Sequence, residues 1–178
     1  KELKQLLNNT SSNLTRLAEI GIALSAEKNL SALLIRILDE GRKLACCDAA
    51  SLFLLDNHDN KNSQLVLKLT QNASIDFHFE EQKFPLSDTS ISGYVATHGE
   101  ELNIIDVYQL DNHPYQFNPI FDKATGYRCQ SLLALPIRNH REEIIGVLQF
   151  INRTKSADTK LSSHQITKEN VVPFDNSV

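Results

Sequence analysis

Two apolar runs of strand length, residues 131–137 and 144–151, form the strongest hydrophobic pattern along the chain. Both runs are rich in Leu, Ile and Val, whereas the charged connection 140–143 between them is too polar to bury. This pattern predicts an antiparallel hairpin at the centre of a sheet that is covered on both faces. Gly146, early in the second run, removes a side chain where a bulge or another backbone can approach.

Shorter apolar patterns upstream predict further strands. Residues 49–55 and 64–70 have strand length and flank a polar turn. Another strand is indicated by Phe77, Phe79, Phe84 and Leu86, and Pro85 limits it to an edge or a strand end. Simple alternation along 64–70 would place three leucines on one face, namely Leu65, Leu67 and Leu69.

Helical spacing of apolar residues predicts a helix over 30–47, which Asn29 or Ser31 can begin. A short helix that includes 91–97 is predicted to follow the capping residues 88–90. Its first amides would have no partner inside the helix, so it is either an ordinary capped helix or a phosphate site.

An interrupted heptad pattern occupies residues 1–24. Seven positions follow the spacing of an a/d seam: Leu3, Leu7, Thr10, Leu14, Leu17, Gly21 and Leu24. Five of these seven are leucines, and the other two are Thr10 and Gly21. This N-terminal segment is predicted either to pack as an amphipathic helix on its own sheet or to pair in parallel with a second protomer.

Residues 106–125 form a long stretch with two prolines and four aromatic residues. A connection of this length in a compact domain is typically a lid or binding loop, and the aromatic side chains favour a lid because they would otherwise lie exposed. This segment is called the lid below.

Composition narrows the class of protein. The 178 residues fit one domain with added segments, and 41% hydrophobic residues can supply a full core. A net charge of -4 without a basic cluster argues against binding nucleic acid, and no apolar run approaches the ~18 residues of a membrane span. Three cysteines, two of them adjacent, favour a reducing cytoplasm. A chain that begins at Lys1 and contains no Met is expected to be a piece of a larger protein.

No pattern indicates catalysis or metal binding. The sequence contains no P-loop, nucleophile elbow or paired-carboxylate site. His58 and Asp59 form a His-Asp pair in a polar turn without further ligands at suitable spacing. We therefore expect no catalytic residue, no metal and no required cofactor.

Four sequence blocks together resemble a GAF domain of the kind found in cyclic-nucleotide phosphodiesterases, adenylyl cyclases and bacterial sensor proteins. The blocks are residues 50–56, 91–99, 102–106 and the stretch 124–153, which reads TGYRxxSLLxLPIRN and then EIIGVLQFINR from Thr125 onward. The resemblance implies an α+β fold with a central antiparallel sheet of about six strands and helices packed on it. It also implies three segments: a linker or dimerising helix at 1–24, the GAF core at 25–153, and a polar insert with the start of a C-terminal segment at 154–178.

The resemblance further implies a set of pocket residues. Ser51 would lie on the pocket floor, the backbone amides of Ile91 and Ser92 would bind phosphate, and three residues would line the lid and the turn after it: Asp122, Thr125 and Cys129. Nucleotide-binding members tend to have a hydroxyl at the position of Cys129, an acid at the position of Gln149 and an aromatic residue near Asn118.

The family's C-terminal Asn-Lys…Phe-x-x-x-Asp-Glu signature, which supports the pocket through a salt bridge, is represented by Asn152, Arg153 and, after a polar insert, Phe174. Val178 occupies the first acidic position of that signature. The insert 154–172 is predicted to be a mobile, solvated linker, with a partner-binding strip as the alternative. A covalent bilin is not expected, because Cys129 precedes Gln130 rather than His.

The predicted function is that of a regulatory domain which binds a small molecule, cyclic AMP or cyclic GMP as the best single candidate, and controls an output domain outside this chain. It is expected to be a cytoplasmic homodimer that pairs through 1–24 and is not itself an enzyme. The alternative is a GAF scaffold with a vestigial pocket that serves dimerisation or protein interaction.

Overall fold

A computed structural model describes residues 29–57, 63–156, 159–161 and 170–174. The predicted helix at 1–24 and the pair His58 and Asp59 lie outside these residues. The chain divides into two compact units, residues 1–40 and 41–178. Helix α1 (Leu30–Leu44) begins in the first unit, where the Asn29 side-chain oxygen accepts from the amides of Ser31 at 2.9 Å and Ala32 at 3.2 Å.

The second unit is built on one six-stranded sheet in which every adjacent pair is antiparallel. Its strands are β1 (Cys47–Asp56), β2 (Gln64–Asn72), β3 (Gln82–Pro85), β4 (Leu102–Ile104), β5 (Leu132–Arg138) and β6 (Ile144–Arg153). The strand order is β3-β2-β1-β6-β5-β4. The predicted α+β class, the six strands and the β5–β6 hairpin are confirmed.

Several element bounds differ from the predictions. Helix α1 ends at Leu44 rather than at 47, because Cys46 turns the chain at φ 50 and Cys47 already begins β1. The predicted strand with Phe77, Phe79, Phe84 and Leu86 covers only the exposed edge residues 82–85, so Phe77 and Phe79 lie outside it. The lid is not a continuous loop, since it contains the short helix α3 (Ile120–Thr125).

Helix α2 (Ile91–His98) confirms the predicted short helix and lies against β5 and β6. It begins after Ser90 and ends at Gly99, which adopts the left-handed conformation at φ 71. Gly93 is required at its position, because a Cβ there would overlap the carbonyl oxygen of Ser87. Gly146 is likewise required, since a Cβ would overlap the carbonyl oxygen of Phe53 on the neighbouring strand, as the sequence predicted.

A register shift in β1 and β2 changes which residues share a face. Leu69 pairs with Leu52, whereas Leu67 pairs with Phe53, so Lys68 is the extra residue of a bulge. Successive residues of a strand face opposite sides. The three leucines therefore do not share one face, and Thr70, which pairs with Ser51, turns to the face that carries Leu65 and Phe53.

Two apolar clusters pack on this same face of the sheet, and Ile151 contacts both. The larger cluster joins the sheet, α2 and the lid, and its buried members include Leu65, Ile91, Val95, Val107, Tyr115, Cys129, Ala134 and Val147. The smaller cluster consists of Ala49, Tyr127, Leu161 and Val171. Leu161 and Val171, each 2% exposed, lie in the insert that was predicted to be solvated. That prediction is wrong for these residues, which bury apolar side chains against the domain.

Candidate functional site

A row of polar residues crosses three strands on the sheet face that the two apolar clusters cover. Thr70 on β2 pairs with Ser51 on β1, which pairs with Gln149 on β6. Directly paired residues point to the same face. We call these three residues the polar row. Its flanking rows are apolar on β1 and β6, with Phe53 and Val147 on one side and Ala49 and Ile151 on the other.

Hydroxyl groups form one end of the polar row. The Thr70 hydroxyl donates to the carbonyl of Ala50 at 3.3 Å, and the hydroxyl oxygens of Ser51 and Thr70 are 2.9 Å apart. Because a hydroxyl has one proton, Ser51 is the donor between the two. The Ser51 oxygen therefore keeps its capacity to accept a hydrogen bond.

Gln149 forms the other end of the polar row and is only 8% exposed. Within the described part of the chain its carboxamide has no hydrogen-bond partner, and its polar atoms keep some contact with solvent. Most buried polar groups in proteins are hydrogen-bonded. Gln149 therefore leaves a donor and an acceptor available on the floor beneath α2 and the lid.

A second unused donor lies in the next row, on Asn72. Its side-chain oxygen accepts from the amides of Ser74 at 2.8 Å and Ile75 at 3.0 Å. The side-chain nitrogen of Asn72 is buried without a partner among the described residues.

The N-terminus of α2, the predicted phosphate site, is partly occupied by its own cap. Ser90 accepts from the Gly93 amide through its hydroxyl at 3.1 Å and from the Tyr94 amide through its carbonyl at 2.8 Å. Within the described residues the Ser92 amide has no acceptor. The side chain of Ile91 is buried in the larger cluster.

The lid runs alongside this end of α2. A parallel bridge pairs Ser90 with Gln116, and the Gln116 amide donates to the carbonyl of Thr89 at 2.8 Å. Tyr115 stacks at a tilt on Tyr94 of α2, with ring centroids 5.0 Å apart. Hydrogen bonds and aromatic contacts thus hold the middle of the lid on the helix.

Asp122 holds the C-terminal part of the lid in place through hydrogen bonds. Its Oδ2 accepts from the Tyr108 hydroxyl at 2.7 Å and from the Cys129 amide at 2.8 Å. Burial raises the pKa of the Asp122 carboxyl, and the same two hydrogen bonds and Arg128 oppose that shift. The structure therefore brings Asp122 and Cys129 together through a bond that ties helix α3 to the chain that follows it.

The two remaining lid predictions have different surroundings. Thr125 donates to the carbonyl of Phe121 at 2.8 Å and accepts from the Tyr127 amide at 3.2 Å, so its hydroxyl ends helix α3. The Cys129 thiol lies in the larger apolar cluster, where burial raises its pKa well above the ordinary value. A ligand contact by any of the six predicted residues stays a prediction.

Arg128 adds charge beside the lid. Its guanidinium is 3.3 Å from an Asp106 oxygen and lies 4.6 Å from the centre of the Tyr108 ring. These contacts hold the first part of the lid next to the chain that follows the lid.

A buried polar network lies where β1 begins and β6 ends, and sequence analysis did not find it. Asp48, 1% exposed, accepts from the Ser74 hydroxyl at 2.5 Å and from the Tyr127 hydroxyl at 2.8 Å. The Asn152 side chain donates to the Tyr127 oxygen at 2.9 Å. We call Asp48, Ser74, Tyr127 and Asn152 the anchor network. The sequence signal that could have indicated it is Asp48, an acidic residue at the start of the apolar strand β1.

No group of three or more His, Cys, Asp or Glu side chains within the described ranges is arranged to hold a metal ion. In the same ranges no helix has the length and hydropathy needed to cross a membrane.

Comparisons with known proteins agree with this architecture. A family model described as GAF domain matches residues 29–167. The dual 3',5'-cyclic-AMP and -GMP phosphodiesterase 11A of Takifugu rubripes is 34% identical over 160 residues, which cover 85% of this chain and 17% of that protein. The chain thus spans a small part of that relative.

Two solved structures share the fold. A GAF domain of a phosphoenolpyruvate-protein phosphotransferase from Coxiella burnetii aligns with a TM-score of 0.59 and 21% identity, covering 88% of this chain and 82% of that one. A GAF domain of the Acinetobacter phosphoenolpyruvate-protein phosphotransferase aligns with a TM-score of 0.60 and 18% identity, covering 86% and 84%. At these identities the likeness concerns the fold alone.

Proposed function

The chain belongs to the GAF domain family, and on that premise we propose that it is a regulatory module which binds a cyclic nucleotide, with cyclic AMP preferred over cyclic GMP. The observation that carries the proposal is the polar row, in which the buried Gln149 carboxamide has no partner among the described residues. A polar group that has no hydrogen-bond partner in the protein and lies under a lid is suited to bind a ligand with a planar, hydrogen-bonding ring.

The chemistry of Gln149 supports adenine. A carboxamide presents one donor and one acceptor side by side, and this pair matches the N6 and N7 positions of adenine. At the same N7 edge guanine offers two acceptors, N7 and O6, which the single donor group and single acceptor of a carboxamide do not match. The relative from Takifugu rubripes is named for both cyclic nucleotides, so the sequence likeness alone does not choose between them.

The remaining parts of the ligand have candidate partners. The free acceptor of Ser51 extends the polar row, and the unused Ser92 amide at the start of α2 is available to a phosphate. Asp122, Thr125 and Cys129 would act from the lid side, with Asp122 holding the lid closed through Tyr108 rather than carrying charge to the ligand.

The experiment is a thermal unfolding series of the 178-residue chain with cyclic AMP, cyclic GMP and 5'-AMP. A ligand at 100 times its dissociation constant stabilises a protein by about 2.7 kcal/mol, which raises the melting temperature by several degrees. We expect the largest rise with cyclic AMP. The variant Gln149→Leu should lose at least about tenfold in affinity, equivalent to about 1.4 kcal/mol.

Gln71→Leu is the matched control, because Gln71 is a carboxamide of the same sheet that pairs with Ala50 and therefore faces away from the polar row. It should keep the affinity of the wild type. Equal losses in both variants would remove Gln149 from the site. No melting shift with any nucleotide would instead favour the alternative function, an interaction module with a vestigial pocket.

The wider setting belongs to the same proposal. We place the domain in a cytoplasmic signalling protein, where it is not the catalytic part, pairs with a second copy through 1–24 and controls an output domain joined to it. Light scattering of the chain with and without residues 1–24 tests the pairing, since only the longer form should be dimeric.

A further inference from the structure

The five residues 127–131 connect the lid to the rest of the domain, and we call them the strap. On the lid side, the Cys129 amide donates to Asp122, and the Gln130 carbonyl accepts from the Val107 amide at 2.9 Å. Movement of the lid therefore acts directly on the strap.

On its other side the strap is held by Asn152. The Asn152 side chain accepts from the Gln130 amide at 2.7 Å and donates to the carbonyl of Arg128 at 2.8 Å and to the hydroxyl of Tyr127. Asn152 is 0% exposed and has φ 55, in the left-handed region that residues other than Gly seldom adopt. A non-glycine residue held there is kept in place by its surroundings.

The C-terminal segment 170–174 is fixed to the same place. The Val172 amide donates to the carbonyl of Arg153 at 2.9 Å, and the Arg153 guanidinium donates to the carbonyl of Pro173 at 3.2 Å. Val171 packs with Tyr127 and Leu161 in the smaller cluster. The Leu161 amide donates to Ser74, whose hydroxyl donates to Asp48, the acceptor of Tyr127.

From these contacts we infer that Tyr127 and Asn152 form a coupling element, through which the position of the lid and the docking of the C-terminal segment 170–174 influence each other. The inference gives the proposed ligand site a route of regulation and rests on the proposed function only for its ligand-dependent part. Two independent links join the strap to the segment: apolar packing through Tyr127 and hydrogen bonds through the neighbours Asn152 and Arg153. Because coupling between sites is reciprocal, loosening either end should loosen the other.

The first test needs no ligand. Hydrogen exchange of backbone amides is measured in the wild type and in Val171→Ala, which weakens the docking of the segment. We expect exchange at the Cys129 and Gln130 amides to rise by about fivefold or more, the lower bound of typical coupling between sites.

Val66→Ala is the matched control, because Val66 is similarly buried on β2 and belongs to neither the strap nor the smaller cluster. The exchange rates in Val66→Ala show how much of the acceleration at Cys129 and Gln130 comes from a general loss of stability. If Val171→Ala accelerates Cys129 and Gln130 no more than Val66→Ala does, the inference is overturned.

A second variant works from the opposite end. Tyr127→Phe keeps the ring in the smaller cluster and removes only the hydroxyl that joins Asp48 and Asn152. We expect faster exchange at the Leu161 and Val172 amides. Unchanged exchange at both amides would contradict the inference, even if Val171→Ala fails to fold.

The ligand-dependent test adds cyclic AMP. In the wild type its binding should slow exchange at the Val172 amide, and in Tyr127→Phe this protection should be lost while the melting shift remains. Protection of Val172 that persists in Tyr127→Phe would count against the coupling element. Absence of any melting shift would overturn the proposed function, and the ligand-free exchange data would still decide the coupling.

Discussion

The polar row and the anchor network are both polar, both largely buried and both built in part on strands β1 and β6. They differ in how completely the chain satisfies them. Asp48, Tyr127 and Asn152 each donate to or accept from other members of the anchor network. In the polar row the two hydroxyls bond to each other, whereas Gln149 has no partner within the described residues.

This difference assigns two roles to similar residues. A buried polar group that is fully hydrogen-bonded stabilises one arrangement of the chain, and removing its partner leaves an unpaired group that costs free energy. A buried polar group without a partner contributes nothing comparable, so its removal should be nearly neutral for folding. Four variants test this comparison, ordered by the size of the expected effect.

The largest effect is expected for Asn152→Ala. The substitution removes three hydrogen bonds at a fully buried position and forces Ala into a left-handed backbone, so the free energy of unfolding should fall by about 3 kcal/mol or more. Urea unfolding measures it. Asn152→Gly is the control: it loses the same bonds without the backbone strain and should be about 1 kcal/mol more stable than Asn152→Ala. A loss under about 1 kcal/mol in Asn152→Ala would break the comparison.

Tyr127→Phe should have the next largest effect. It leaves the Asp48 carboxylate without one of its donors, which should lower the free energy of unfolding by about 2 kcal/mol. Tyr94→Phe is the matched control, because the Tyr94 hydroxyl is 3.4 Å from Glu100 at an exposed site. Its unfolding midpoint in urea should equal that of the wild type, and equal midpoints for both variants would contradict the role of the anchor network.

A pH-dependent effect of smaller size is expected for Asp48→Asn. Burial raises the pKa of the Asp48 carboxyl above 3.8, while its hydrogen bonds to Ser74 and Tyr127 oppose the shift. The folded state then binds a proton more tightly than the unfolded chain does. The stabilisation that this difference in the Asp48 pKa gives the folded state is full below pH 3.8, the ordinary value, and is lost as the pH rises through the pKa of Asp48 in the folded protein.

The measurement is urea unfolding of the wild type and Asp48→Asn across this pH range. The advantage of the wild type over the variant should shrink as the pH rises. Ser74→Ala serves as control, because it removes a donor to the same carboxylate but keeps the titrating group, so its pH dependence should persist. Parallel curves for the wild type and Asp48→Asn would show that the carboxyl does not titrate differently in the folded state.

The smallest effect on folding is expected for Gln149→Leu. No described partner loses a hydrogen bond, so the free energy of unfolding should stay within about 0.5 kcal/mol of the wild type. The same variant is expected to lose ligand affinity. A large loss of stability in urea unfolding would show that Gln149 is a structural residue like Asn152.

Much of the fold could be predicted from local pattern. The β5–β6 hairpin, the strand that begins the sheet and the capped helix α2 are each specified by residues next to one another, such as the apolar runs and Ser90 before Ile91. Gly146 was predicted to admit a neighbouring backbone, and the carbonyl of Phe53 fills that space. Helix α3 inside the lid was missed, because its six residues after Pro119 are too few to show a helical periodicity of apolar side chains.

The candidate site was less predictable. The resemblance supplied Ser51, Asp122 and Cys129, and the structure shows Asp122 bonded to the Cys129 amide. Thr70 was missed, because simple alternation puts it on the wrong face and only the bulge at Lys68 turns it toward Ser51. A bulge depends on how two strands pair, and the sequence of one strand does not show it.

The sequence by itself determined most of the elements, the class of fold and the family, because helix caps, apolar periodicity and glycine positions act over a few residues. Only the tertiary structure decided which polar residues are satisfied. Asp48, Tyr127 and Asn152 are far apart along the chain and meet because β1, the strap and β6 are neighbours in space. Whether a buried polar residue holds the fold or stays open for a ligand depends on the partners that such long-range contacts bring to it.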